Sequence, residues 1–594
     1  YGNNNKNMWR EIKSLGIVGS NSKLPSDLTD VEVINKHFLS IVPNNLTPDP
    51  NYKASFLSGS FSSQYFTYKP VDEQTISQVI NKLKPNVAGI DEISGKMLQI
   101  SLDWILRPLT HIINFSFEQG IVPKLWHLSV VTPIPKKSDP KSLNDLRPIS
   151  LLCNTLKVAE SVFLEQMKEH FNELGIIPNV QSGFRKNYST STLLASLTDD
   201  ILNGFDNGHI TSLTLLDMSK AFDSLDIDLL SVKLAYYGVA GQSMVWMQNY
   251  LHNRSQIVHY ENNFSSSLDL FSGVPQGSIL GPFLFSVYTA DLPDVVKSCS
   301  IHMYADDIQI YYTFPPDSAF MSSNLINLDL KNIHLWCQEN CLGLNFAKCE
   351  TIVFGTVAKL NQSRDLVSVV IGDNVLKPQM SVKSLGVILD QQLKFVDHVD
   401  FICRKTFVSL KQISFLRSFL NTNTKKLLSD ALVLSHLNYA DVVYGPCLSM
   451  AQKYRLQKVQ NYCTRFVVHV PRFSHITPFI RHLNWLTTTE RRFVHFSMFV
   501  LKVLNTSRPA YLRQKIIMRS MIHNRYLRSI DFMADVPEHR LSSFKSSFAY
   551  LASLITNKIL IRYRDRGSIH TVKKHICKDL VAGVATQLVD LKLF

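Results

Sequence analysis

The sequence predicts an α+β fold, and three observations carry the prediction. Short apolar runs that read as strands end in acids. Amphipathic helical segments alternate with them to about residue 390, and residues 391–510 are mostly helical and basic.

Taken in order, residues 1–70 are rich in Ser, Asn and Pro, with Trp9 and Phe38 as isolated anchors, and read as a linker with partial helices. The chain starts at Tyr1, without an initiator Met, which suggests a piece of a longer or processed protein. From Val71 the pattern turns helical, with Ile76, Val79, Ile80 and Leu83 on one face. A basic stretch follows, Pro133-Ile134-Pro135-Lys136-Lys137, then Asn144-Asp145-Leu146-Arg147-Pro148-Ile149-Ser150. The apolar run 213–216 ends in Asp217. Residues 225–251 read as helical, with Leu229, Leu230, Leu234 and Tyr237 as a core stripe. Gly273-Val274-Pro275-Gln276-Gly277-Ser278-Ile279-Leu280-Gly281-Pro282 is a punctuated loop entering a helix, where backbone can approach a ligand closely. Residues 300–312 read as a β-hairpin with Asp306 and Asp307 at its tip. Residues 381–389 suggest a short strand.

Composition narrows the function classes. A 594-residue chain with 45% hydrophobic residues can build large cores and is not disordered. No run approaches the ~18 apolar residues of a membrane span. The nine cysteines are scattered, as expected of reduced intracellular thiols. Cys337, Cys341 and Cys349 lie near His334, but their spacing is that of no zinc knuckle and disfavours a zinc site. Net charge is +14, unevenly spread: residues 401–530 hold 21 Lys or Arg against Asp430, Asp441 and Glu490, a net +18 that leaves −4 for the rest. A basic block in a folded region points to a phosphate backbone.

Paired acids at strand ends want a cation. An acid, a glycine loop and an acid pair, preceded by basic residues, form the layout of two-metal nucleotidyl transfer. On these blocks the chain resembles the reverse transcriptase of a non-LTR (LINE-type, jockey-like) retrotransposon. The matching blocks run in the family's order: Gly89-Ile90-Asp91, the two basic blocks, Gln181-Ser182-Gly183-Phe184-Arg185, the Asp217 block, Gly-Val-Pro-Gln-Gly-Ser from Gly273, Tyr304-Ala305-Asp306-Asp307, Gly343-Leu344-Asn345-Phe346-Ala347-Lys348 and Lys383-Ser384-Leu385-Gly386-Val387. Leu456-Gln457-Lys458-Val459-Gln460 and His482-Leu483-Asn484-Trp485-Leu486 fit the family's later region, so the resemblance covers residues 70–510.

The resemblance implies a right-hand polymerase of fingers, palm and thumb with a mostly helical C-terminal region. It places an N-terminal extension at 1–70, fingers and palm at 71–390, a basic helical thumb at 391–510 and a C-terminal region of open role at 511–594. It implies that Asp217 and Asp306 bridge two Mg²⁺ ions, with Mn²⁺ as a substitute. The carbonyl of Met218 is a further ligand, and Asp307 either ligates metal or holds the turn. Phe222 would exclude a ribose 2′-hydroxyl, or is a core ring. Lys136 (or Lys137) and Arg147 would clamp the dNTP triphosphate, and Gln276 and Gly277 would pack beside the nascent pair. Lys348 would protonate pyrophosphate, or is merely solvated. Arg185 would touch template backbone or make a surface ion pair, and Lys405, Lys411 and Lys458 would grip template and primer. Asp223 matches a family position and is read as structural.

The activity so implied is RNA-directed DNA synthesis in target-primed reverse transcription. Its partners are template RNA, a DNA primer at target DNA and dNTPs, with no membrane and with an endonuclease domain upstream. Cytoplasmic ribonucleoprotein and nucleus are the expected locations. The rival is a decayed or domesticated copy that binds RNA without synthesis. The tail Ser546-Ser547-Phe548…Ile555-Thr556-Asn557 lacks the Trp of the family's late pattern and keeps that rival open.

Overall fold

The computed structural model describes residues 24–40, 50–363, 366–521, 533–563 and 568–583; Trp9 lies outside them. The chain divides into two compact units. One comprises Tyr1–Phe184, Asp217–Lys297 and Lys331–Asn345, the other Arg185–Leu216, Ser298–Leu330 and Phe346–Phe594.

In the first unit, strand Leu128–Pro135 pairs antiparallel with Leu146–Leu151 and parallel with Arg254–Tyr260. Helix Val31–Leu39, capped by the Asp30 carboxylate, buries Ile34 and Phe38 against Val131 and Val258 of this sheet. The isolated anchor Phe38 is thus a core residue. Helix Leu102–Gln119 stops at Gly120, whose φ of +68° supplies the left-handed C-cap. Its Phe117 meets Phe163 of helix Asn154–Glu173 and Trp246 of helix Gly241–Leu251, at ring separations of 5.3 and 4.6 Å. Leu229, Leu230 and Leu234 of helix Ile227–Tyr236 are buried, as their spacing predicts.

Lys233, on the same helix, is fully buried and saturated. Its ammonium donates to the Tyr288 carbonyl, Asp291 Oδ1 and Asn340 Oδ1, each at 2.7 Å. Asp291 Oδ2 accepts from Tyr52 at 2.5 Å and Trp336 at 2.9 Å, which ties helix Pro50–Leu57 into the unit.

The second unit is built on a sheet ordered Pro378–Gln379, Glu350–Phe354, Ile210–Ser219, Asp307–Phe314, Ser300–Tyr304. Leu213, Ile308, Ile310, Ile352 and Val353 are buried in it. The strand expected at 381–389 is a tight hairpin, Ser381–Ser384 with Val387–Asp390, turned at Gly386 with φ +84°. Beyond it come helices Val396–Ser414, Thr422–Ser429, Met450–Val468 and Thr488–Thr506, and then Phe548–Tyr563 and Ile569–Val581, which both pack on Thr488–Thr506. The tail is therefore helical and part of this unit. Among the described residues no helix is long and apolar enough to cross a membrane.

Candidate active site

The acid-tipped hairpin lies in the second unit. Ser300–Tyr304 and Asp307–Phe314 pair antiparallel down to Tyr304↔Asp307, so Ala305 and Asp306 are the whole loop. Ala305 has φ +57°, a conformation costly for a residue with a Cβ, and it lifts Asp306 onto the turn. Asp306 is half-buried and Asp307 exposed. Strand Asp307–Phe314 neighbours Ile210–Ser219 in the sheet.

A polar network supports this hairpin. Tyr311 donates its hydroxyl to Asp200 at 2.7 Å, and Lys515 pairs with Asp199 at 2.8 Å and with Asp200. Asp199 also accepts from the amide of Ala549 at 2.8 Å, and Asp206 from those of Arg540 and Leu541. The acids of helix Thr190–Asp206 thus fasten the C-terminal region to the hairpin's unit. His302 sits beneath, its ring 5.9 Å from Tyr311 and 5.0 Å from Tyr511, and burial pushes its pKa down to about 4, so it is neutral. None of these partners was named from sequence. The acid pair Asp199-Asp200 in an apolar helical run was the available signal, because buried acids need cations.

In the first unit, Asp217 is half-buried, two residues before the end of strand Ile210–Ser219, and its carbonyl accepts from the amide of Asn345 at 2.9 Å. Met218 pairs with Leu344 and Ser219 with Gly343. Past Lys220 (φ +49°) the chain is laced to the glycine loop: the amide of Val274 donates to the Phe222 carbonyl at 3.0 Å, and that of Gly273 to the Leu225 carbonyl at 2.8 Å. The Phe222 ring stacks on Phe285 at 4.8 Å and meets Phe184 edge-on at 6.1 Å.

Gln276 Nε2 donates to both Asp223 oxygens, at 2.9 and 2.8 Å. Burial raises the Asp223 pKa to about 6, against the opposing effects of Gln276, Lys220, Lys136 and Arg147. The Gln276 carbonyl accepts from the Ser150 amide at 2.8 Å. A Cβ at Gly277 would stand 2.4 Å from the Ser150 carbonyl oxygen, so only glycine fits there. Behind the loop, buried Glu160 accepts from Tyr250 at 2.5 Å and from the Ile279 amide at 2.9 Å.

Lys136, Lys137 and Arg147 lie on the adjoining hairpin, where Ile134 faces Arg147. Lys136 Nζ donates to the Asn144 carbonyl at 2.8 Å. Lys137 pairs with Asp145 at 2.7 Å, and that bond holds the Asp145 carboxyl down at about 2. The first unit therefore collects Asp217, Met218, Lys136, Arg147, Phe222, Gln276 and Gly277. The second holds Asp306, Asp307, Lys348, Arg185, Lys405, Lys411 and Lys458. Arg185 lies 4.3 Å over the Tyr188 ring; Lys348 is exposed in the turn Phe346–Lys348, and Lys405, Lys411 and Lys458 are exposed on helices.

Among the described residues, no three His, Cys, Asp or Glu side chains gather as a metal cage. Mg²⁺ asks for none: it takes one or two carboxylates and completes its shell with water and substrate phosphates. Asp217 and the Met218 carbonyl in the first unit, and Asp306 and Asp307 in the second, are hard oxygen donors of the kind Mg²⁺ takes.

The acid-tipped turn Ala305-Asp306 and the braced loop 273–277 fall in one stretch of the sequence. Residues 134–389 match the family "Reverse transcriptase (RNA-dependent DNA polymerase)". The chain is 28% identical over 455 residues to "Probable RNA-directed DNA polymerase from transposon BS" of Drosophila melanogaster, across 73% of this chain and 48% of that protein. It is 27% identical over 403 residues to "RNA-directed DNA polymerase from mobile element jockey" of Drosophila funebris, across 66% and 43%. A probable polymerase from transposon X-element of Drosophila melanogaster is 24% identical over 465 residues, across 74% and 50%. Residues 134–389 are thus similar to the reverse transcriptase domain, and the chain spans about half the length of the curated relatives it matches, which are named as RNA-directed DNA polymerases of mobile elements.

Proposed function

We propose that the chain is an RNA-directed DNA polymerase that extends a DNA primer along an RNA template by adding dNTPs. The observation that carries this reading is the acid-tipped two-residue turn Ala305-Asp306, within the stretch 134–389 that is similar to a reverse transcriptase. In this reading Asp217 and Asp306 hold two divalent ions, Mg²⁺ or Mn²⁺, with Asp307 and the Met218 carbonyl as further oxygens. When bound, these ions activate the primer 3′-hydroxyl and stabilise the leaving pyrophosphate.

The chain's own residues do the rest. Arg147 and Lys136 orient the triphosphate; the ion pair that commits Lys137 to Asp145 favours Lys136 for this work. Phe222, whose ring packs against those of Phe285 and Phe184, excludes a ribose 2′-hydroxyl in this reading. Asp223 holds the Gln276 amide still while Gly277 keeps the loop against Ser150, which presents a rigid floor to the nascent pair. Lys348 gives a proton to pyrophosphate. Arg185, Lys405, Lys411 and Lys458 meet template and primer phosphates.

On this reading residues 71–390 are fingers and palm, 391–510 the thumb and 1–70 the extension from an upstream endonuclease domain. The pathway is target-primed reverse transcription, in a ribonucleoprotein that passes from cytoplasm to nucleus. The test is primer extension on an RNA template with dNTPs and Mg²⁺, beside Asp306→Asn. Extension by the parent and none by the variant is expected. Tight, salt-dependent RNA binding without extension by the parent would favour the decayed RNA-binding reading instead.

A further inference from the structure

Two helices of the second unit, Val396–Ser414 and Met450–Val468, pack side by side, burying Ile402, Thr406 and Ile413 on one and Leu456, Val459 and Cys463 on the other. Their outer faces are unusual. Phe401, Val408 and Phe415 recur at intervals of seven and are exposed; Phe415, just past the helix end, is 74% exposed. On the second helix Tyr454, 60% exposed, Lys458 and Tyr462 recur at intervals of four. Tyr462 meets Phe407 of the first helix edge-on at 5.6 Å, so the two rows adjoin.

Cations are interleaved with the rings. Lys458 Nζ stands 4.5 Å over Tyr454, and Lys383 and Lys405 stand 5.2 and 6.0 Å from the Phe401 ring centre. No Asp or Glu occurs between residues 401 and 429 or between 442 and 489. At the edge, Asp400 pairs with Arg455 at 2.6 Å, and Asp397, one turn before Phe401, is exposed. A surface this apolar with no cations would suit a protein. One with cations and no rings would suit a duplex, whose base faces are hidden in its stack. Rings and cations together, with acids confined to the end of one helix, fit a strand whose bases are free to stack and whose phosphates need neutralising.

We propose that this two-helix face binds single-stranded polynucleotide by stacking bases on Phe401, Phe415, Tyr454 and Tyr462 while Lys405, Lys411 and Lys458 take the phosphates. It deepens the polymerase reading, which supplies the strand: unpaired template. The binding itself is independent of Asp217 and Asp306, so it stands or falls separately from primer extension.

The experiment measures anisotropy of labelled oligo(U), oligo(dT) and a blunt RNA–DNA duplex on the full chain and on the double variant Phe415→Leu, Tyr454→Leu. Leucine keeps the apolar surface and removes the π face, and both sites are exposed enough to leave folding intact. The expected result is a loss of roughly 10-fold or more on both single strands, with duplex affinity unchanged and the melting temperature kept. Unchanged single-strand affinity, or an equal loss on the duplex, would overturn the proposal. As a second arm, Lys405→Ala with Lys458→Ala should lower the salt dependence of oligo(U) binding; an unaltered dependence would also count against it.

Discussion

The Gln276 side-chain nitrogen donates to both oxygens of one carboxylate, Asp223, at 2.9 and 2.8 Å. The glutamine of the glycine loop is thus tied to the segment that follows Asp217, and the loop cannot shift without breaking an interaction with a buried acid.

This bond has a pH signature. The Asp223 carboxyl titrates near 6 in the folded chain, above its ordinary 3.8. Between those values the folded state keeps a proton that the unfolded state has released, so the stability from this group falls as pH rises from about 4 to about 6 and is level above. Asp223→Asn should flatten that dependence: relative to the parent, it gains thermal stability between pH ~4.5 and ~7. Melting curves at the two pH values check it, and an identical difference at both would contradict it.

Phe222→Ala should open space under the incoming sugar. Incorporation of rNTPs relative to dNTPs is expected to rise roughly 10- to 200-fold, the range one steric contact supplies. Single-nucleotide extension with each substrate measures it. Unaltered selectivity would leave Phe222 as a core ring packed on Phe285.

Gly277→Ala places a methyl 2.4 Å from a backbone oxygen, at a residue with φ +135°. The loop must leave Ser150. We expect a rise in KM for dNTPs and a fall in kcat, with RNA affinity unchanged. Steady-state kinetics beside a binding isotherm separate the two.

Lys515→Ala should strip the cation from Asp199, whose side chain is 5% exposed, and from Asp200. Losing one partner of a buried pair costs roughly 3–5 kcal/mol. The variant should melt well below the parent, and Tyr311, bonded to Asp200, should gain solvent access. A melting temperature within a degree or two of the parent would show that this ion pair contributes little to stability.

Much of this was legible in sequence. Alternation and turn residues placed the hairpin at 300–312 and its acids, because a two-residue loop leaves little choice of register. The stripe Leu229, Leu230, Leu234 is buried as its spacing requires. Lys233 was not legible. A lysine in a helical pattern reads as a solvated face, and only the distant Asp291, Asn340 and Tyr288 make its burial tolerable. Lys515 with Asp199 and Asp200 was hidden for the same reason: partners more than 300 positions apart leave no local pattern. The bond of Gln276 to Asp223 was missed because Gly and Pro account for a turn without saying what braces it.

On the proposed function, Asp217 and Asp306 would hold the same metal ions. Replacing Mg²⁺ by Fe²⁺ and generating hydroxyl radicals cuts a backbone where the ion sits. With primer–template and dNTP present, the account predicts cuts at both 216–219 and 304–307, and Asp306→Asn should abolish both. Cleavage at one segment alone, or cuts at 216–219 that survive Asp306→Asn, would contradict it.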